Sequence, residues 1–214
     1  MRHVFLALTN PVPGKEAEFN AWYDDFHLRE VVEYGSGMLA GRRFRLTADQ
    51  RPGQAAPPWS YLAWYDMEHD DLADYHRQPW IAERPPLKPF AGLVADDHVG
   101  WVYTPVGDGV GAATGPDEGS GGDRFLLLVL TNDELDAFPI LPAPAVGRRY
   151  RAAAEQRAGQ PRPGWARLTA YDVTAQSAAA VLAATAGVFG PSQAVWLFEA
   201  IGEGVGASSP LRPG

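Results

Sequence analysis

FLALTN at Phe5–Asn10 returns as LLVLTN at Leu127–Asn132. Working outward, GRRFR at Gly41–Arg45 returns as GRRYR at Gly147–Arg151, and Tyr65-Asp66 returns as Tyr171-Asp172. Near the end of each half, GWVYTPVGDG at Gly100–Gly109 returns as VWLFEAIGEG at Val195–Gly204. Four matches in one order mark an internal duplication. The offset falls from 122 to 106 between the first two matches, so about sixteen residues are missing early in the second copy. It falls again to 95 at the last match.

The first copy sets the element order. Residues 3–9 (HVFLALT) form a short apolar run closed by Asn-Pro and Pro-Gly, a strand buried on both faces. Residues 15–32 read as a helix, with Phe19, Trp22, Tyr23, Phe26 and Glu30 on one face at 3.6-residue spacing. Residues 39–47 and 60–67 are strands flanking a Pro/Gly/Ala loop. Residues 70–81 are a second helix opened by aspartates and ended or kinked by Pro79, and residues 99–104 are a fourth strand. This β-α-β-β-α-β order is the ferredoxin-like split motif. In the second copy DELDAFPILPAPA at 133–145 replaces the aromatic helix and is too proline-rich to be one, while 176–186 (QSAAAVLAATA) keeps the second helix.

The fold class is therefore α+β, two tandem ferredoxin-like repeats forming a pseudo-dimeric α+β barrel. Repeat one spans 1–105, a Gly-rich linker 106–123, repeat two 124–204, and a disordered tail 205–214. Two four-stranded sheets, each with one helix-covered face, close an eight-stranded barrel wide enough for side chains or one small ligand.

Composition excludes several functions. The net charge of −8 argues against a nucleic-acid surface, which needs a basic stripe. Without cysteine there is no disulfide, thiolate metal site or Cys nucleophile. No apolar run reaches the roughly 20 residues of a membrane span, so no membrane partner is expected and the location is read as cytoplasmic. No phosphate-binding glycine loop precedes a helix, and no metal site is expected.

NPVPGKEAEFNAWYDDFH, followed by GRRFRL and YLAWYDM, resembles the EthD-like branch of the dimeric α/β-barrel superfamily. The resemblance covers most of the first half and rests on the WYDxxH cluster. It implies a barrel of two ferredoxin-like sheets and a range of activities: cofactor-independent monooxygenases, polyketide cyclases, lactone isomerases and haem-dependent enzymes. It also implies homodimers, a role that the second copy would fill here. A monomeric pseudo-dimer and a homodimer both stand. With the helix gone from copy two, a two-fold pair of sites reduces to one.

The densest chemistry is FNAWYDDFHLREVV at 19–32. His27 lies four residues after Tyr23 and three after Asp24, so the three can meet on one helix edge. One reading makes His27 the proton-transfer group, with Asp24 orienting it and Tyr23 steadying oxyanion charge. The other makes it a structural histidine that fixes the loop at 33–37. Trp22 packs the helix or lines a pocket. Strand alternation puts Arg43 and Arg45 on one face and Arg42 and Phe44 on the other; an arginine facing the barrel would bind a carboxylate, enolate or phenolate, whereas the return of GRRYR in the copy without the aromatic helix favours a shared structural role in ion pairs with nearby acids. Trp64, Tyr65 and Trp101 are candidates for an aromatic lumen suited to a flat ligand.

The expectation is a cofactor-free cyclase, isomerase or monooxygenase acting on a small hydrophobic or aromatic compound in the lumen. The alternatives are a non-catalytic binding or structural module, and a haem enzyme using a histidine such as His76.

Overall fold

The computed structural model describes residues 1–77, 92–107, 123–133, 141 and 145–206. Eight strands close an antiparallel barrel: β1 (Arg2–Thr9), β2 (Met38–Leu46), β3 (Tyr61–Glu68), β4 (Val99–Pro105), β5 (Asp123–Thr131), β6 (Ala145–Ala152), β7 (Arg167–Ala175) and β8 (Ala194–Gly206). Around the barrel the order is β1-β3-β2-β8-β5-β7-β6-β4. Each half thus repeats one pattern, β4-β1-β3-β2 and β8-β5-β7-β6. The two seams differ. β2 pairs β8 from Leu46↔Phe198 to Ala40↔Gly206, whereas β4 pairs β6 only at Tyr103↔Ala152, Thr104↔Arg151 and Pro105↔Tyr150.

Alternation sorts each strand into an inner and an outer set. Leu6, Leu8, Phe44, Leu62, Trp64, Trp101, Leu126, Leu128, Leu168, Trp196 and Phe198 form the barrel interior. Phe5, Tyr61, Tyr65, Met67 and Val102 face outward beneath the helices of the first half, and Leu127, Tyr171 and Leu197 do so in the second. Burying both faces removes the polar side that an exposed sheet would show. Each fully buried large apolar side chain contributes about 1.5–3 kcal/mol.

The repeated LTN motif has a direct cause. Asn10 Oδ1 accepts from Ser60 N, and Asn132 Oδ1 accepts from Ala166 N. The two asparagines pin equivalent loops that carry Trp59 and Trp165 into the barrel end.

The expected helix at 15–32 is broken into α1 (Glu16–Trp22), a π-helical turn (Tyr23–His27) and α2 (Leu28–Tyr34). Gly37 turns the chain at φ +71°, and a Cβ there would lie 2.2 Å from the Glu68 carbonyl oxygen, so only glycine fits. The second helix of the first half is α3 (Leu72–Arg77); the rest of its expected span, including Pro79, lies outside the described residues. In the second half α4 (Ala178–Ala184) starts on Ser177, whose hydroxyl accepts from Ala180 N. The tail expected to be disordered from 205 is corrected at its start: Val205 and Gly206 continue β8 against Gly41 and Ala40, where ladder pairing orders them. Most of the linker and of the 133–145 segment lies outside the described residues. No described helix is long and apolar enough to cross a membrane.

Candidate functional site

Two polar clusters lie on opposite faces of the first half's sheet. The outer one is built by the π-helical turn. One extra residue in that turn rotates the helix after it, so Phe26 swings out to 36% exposure and His27 goes in at 4%. The 3.6-residue expectation placed Phe26 on the buried face; the π turn puts His27 there instead. Residues five apart now stack, and the rings of Trp22 and His27 lie 4.2 Å apart at 17°. Tyr23 meets His27 edge-on at 4.8 Å.

Beneath this turn sits Arg43, fully buried. Its guanidinium donates to Asp24 Oδ1 at 2.6 Å and to Asn20 Oδ1 at 2.7 Å. It also lies over the rings of Tyr23, Phe19 and Tyr61 at 4.4, 5.3 and 5.5 Å. The carboxylate of Asp24 is thus drawn to Arg43, not to His27, and the expected orienting contact between Asp24 and His27 is replaced. The acid facing the His27 ring is Glu30, with Oε2 3.8 Å from Nδ1. Burial raises the pKa of Tyr23 and, more strongly, of Tyr65, whose hydroxyls face each other. Both phenols stay neutral.

The inner cluster lies in the barrel. At one end Trp59, Trp101, Trp165 and Trp196 pack edge to face, with centroids 5.0–6.4 Å apart. Trp101 Nε1 donates to the Pro161 carbonyl. This end is filled by side chains. The other end opens into a cavity of about 230 Å³ walled by Phe44, Trp64, Leu126 and Ala170 and rimmed by Arg42, Asp66, Arg148 and Asp172. At ~30 Å³ per water the space holds several waters or one small organic molecule. Trp64 Nε1 donates to Asp66 Oδ1 at 3.2 Å, and Arg148 Nη2 to Asp172 Oδ2 at 3.1 Å. Desolvation raises the Asp66 pKa against the opposing pull of the Trp64 bond and Arg148. Burial pushes the Tyr150 hydroxyl, close to Arg148, up to about 12.

The structure therefore divides the candidates. His27, Asp24, Tyr23, Trp22, Arg43 and Tyr65 cluster outside the barrel wall; Trp64 and Trp101 are inside. Arg43 and Tyr65 do not line the lumen, because on their strands the inward positions belong to Arg42 and Trp64. Trp101 belongs to the closed end, away from the cavity. Asp66, Arg148 and Asp172 escaped sequence reasoning. The signal for them lay in the matched stretches, GRRFR with GRRYR and Tyr65-Asp66 with Tyr171-Asp172, which carry an arginine and an aspartate at positions of inward parity. The remaining four histidines are engaged elsewhere: His3 with Thr104 and the His69 carbonyl, His69 with the Asp71 backbone N–H, His76 with the Glu155 carbonyl and His98 with the Ala95 carbonyl. Among the described residues no cluster of three potential metal ligands occurs.

No family model matches the chain. No curated protein matches it either. Among solved structures the chain is similar to an anthrone oxidase-like protein, at a TM-score of 0.51 and 11% identity over 98% of this chain and 94% of that one. The barrel fold is shared. The likeness spans both halves, so the whole barrel, and not one half of it, is the common unit.

Proposed function

We propose that this chain is an EthD-like enzyme of the dimeric α/β-barrel superfamily, carried as two tandem ferredoxin-like repeats and working as a monomer. In this reading the second repeat supplies the sheet that a partner subunit would otherwise give. The substrate is a small hydrophobic or aromatic compound held at the open barrel end, and no cofactor takes part. The observation that carries the reading is the mouth cavity, an apolar and aromatic wall crowned by two arginines and two aspartates.

Asp66 is the proton-transfer group. Its raised pKa makes its carboxylate a stronger base than an ordinary aspartate, and the Trp64 indole holds it in place. It takes a proton from an acidic C–H beside a carbonyl, or from a phenol, and the resulting enolate or phenolate is steadied by the arginines. Cyclisation, isomerisation and cofactor-free oxygenation all start from such an anion. Anthrone, an aromatic ketone with an acidic methylene, is a fitting probe, since the structural neighbour is titled anthrone oxidase-like. His27, behind the sheet and stacked on Trp22, serves the packing of the π turn.

The test is hydrogen–deuterium exchange at the anthrone methylene followed by NMR. Exchange above the buffer rate by about 10²-fold, and its loss in Asp66→Asn, is expected. Exchange at the buffer rate, or undiminished in Asp66→Asn, overturns the assignment. The packed tryptophan end favours a second reading, a binding module without turnover; anthrone binding with no accelerated exchange would establish it.

A further inference from the structure

Arg42 and Arg148 occupy equivalent places on β2 and β6, and Asp66 and Asp172 on β3 and β7. Yet the two halves wire them differently. Arg148 is ion-paired to Asp172. The Arg42 guanidinium has no hydrogen bond or ion pair to any described residue, although Asp66, Asp172, Arg124 and Arg148 are all within electrostatic reach. Asp66 is held by the indole of Trp64, and the residue in the equivalent place before Asp172 is Ala170. Trp64 thus lines the cavity and also donates to one oxygen of Asp66, a contact for which Ala170 offers no counterpart at Asp172.

The space at Arg42 is kept open by small residues. Ala40, Gly41, Gly204 and Gly206 rim it, and a Cβ at Gly204 would stand 3.3 Å from Arg42 Nε and 3.4 Å from Nη2. The guanidinium is half-buried there and faces the cavity, so it can meet a ligand anion. Its planar fork matches a carboxylate. The charge of the surroundings suits a monoanion: Arg42, Arg124 and Arg148 stand against Asp66 and Asp172, which leaves one net positive charge.

We propose that Arg42 is the anchor for the carboxylate of a small aromatic acid whose ring lies against Trp64. The inference rests on the mouth cavity being the ligand site, as proposed above, and it names the substrate class.

Quenching of the tryptophan fluorescence measures binding of 2-naphthoate and of its uncharged counterpart 2-naphthamide to the full chain. Wild type is expected to prefer the acid by at least about tenfold, the range of a charge-assisted pair. Arg42→Gln should abolish the preference and leave naphthamide binding within about twofold, while Arg42→Lys retains part of it. A melting curve of each variant checks that it folds. Equal binding of acid and amide by wild type, or a preference that survives Arg42→Gln, overturns the Arg42 assignment alone. If neither compound binds, the mouth is not a ligand site, and both the inference and the reading beneath it fall.

Discussion

Arg42 and Arg43 are neighbours in sequence and opposites in structure. Arg43 lies outside the barrel wall, sealed under the π turn, with Asp24, Asn20 and three aromatic rings around its guanidinium. Arg42 lies inside, at the rim of a cavity, without a hydrogen bond or ion pair among the described residues. One strand step turns the same side chain from a group paired within the protein into one that faces a cavity. Satisfaction of hydrogen bonds, not burial or residue type, is what separates a group that holds the fold from one available to a ligand.

The largest effect should come from the satisfied partner. Arg43→Ala strands Asn20 and Asp24 and removes the cation–π contacts. Breaking such a pair costs about 3–5 kcal/mol, and the half-exposed Asp24 regains some hydration, so a loss of about 3 kcal/mol is expected in urea unfolding. Arg42→Ala should stay within about 0.5 kcal/mol. Equal losses in the two variants would break the comparison.

His27→Ala comes next. It removes the ring stacked on Trp22 and leaves a gap beside Tyr23, for an expected loss of about 2 kcal/mol. Naphthamide binding and anthrone exchange should be unchanged. A variant that keeps its stability but loses exchange would move the chemistry back to the outer cluster.

Trp64→Phe sharpens the contrast between the halves, because it keeps the aromatic wall and deletes the N–H that holds Asp66. Asp66 is then free to pair with Arg42 as Asp172 does with Arg148. Preference for naphthoate should fall about fivefold, equivalent to ~1 kcal/mol. An unchanged preference would show that the indole is not what keeps Arg42 free.

The smallest effect is a pH dependence. Because the Asp66 pKa is raised in the folded state, the fold holds a proton that the unfolded chain releases. Its contribution to stability is therefore lost as pH rises from the ordinary carboxylate pKa through the folded one. Asp66→Asn should remove that decline, so the gap between the melting curves of variant and wild type widens with rising pH across this window. A gap that narrows would give the shift the opposite sign.

The strands at FLALTN and GRRFR were legible, the first from its apolar run and the second from its alternation, as was the return of both stretches later in the chain. The choice between Arg42 and Arg43 was not. Both faces of β2 are buried, so polarity could not tell inside from outside, and arginines stood on each face. The π turn was also hidden. One added residue carries no compositional mark, and 3.6-residue spacing favoured Phe26 over His27 for the buried face. The mouth cluster was written in the sequence as a repeated arginine and a repeated Tyr-Asp, but parity alone could not say that these repeats point inward.

By itself the sequence determined the strands, their order within each half and their alternating residues, since these follow from local periodicity and turn chemistry. Only the tertiary structure decided which alternate set faces the lumen and which of two equivalent aspartates finds its arginine. A barrel wall covered on both sides has no solvent face to orient it. At the mouth an indole reaches Asp66 in one half, and Ala170 stands at the equivalent place in the other.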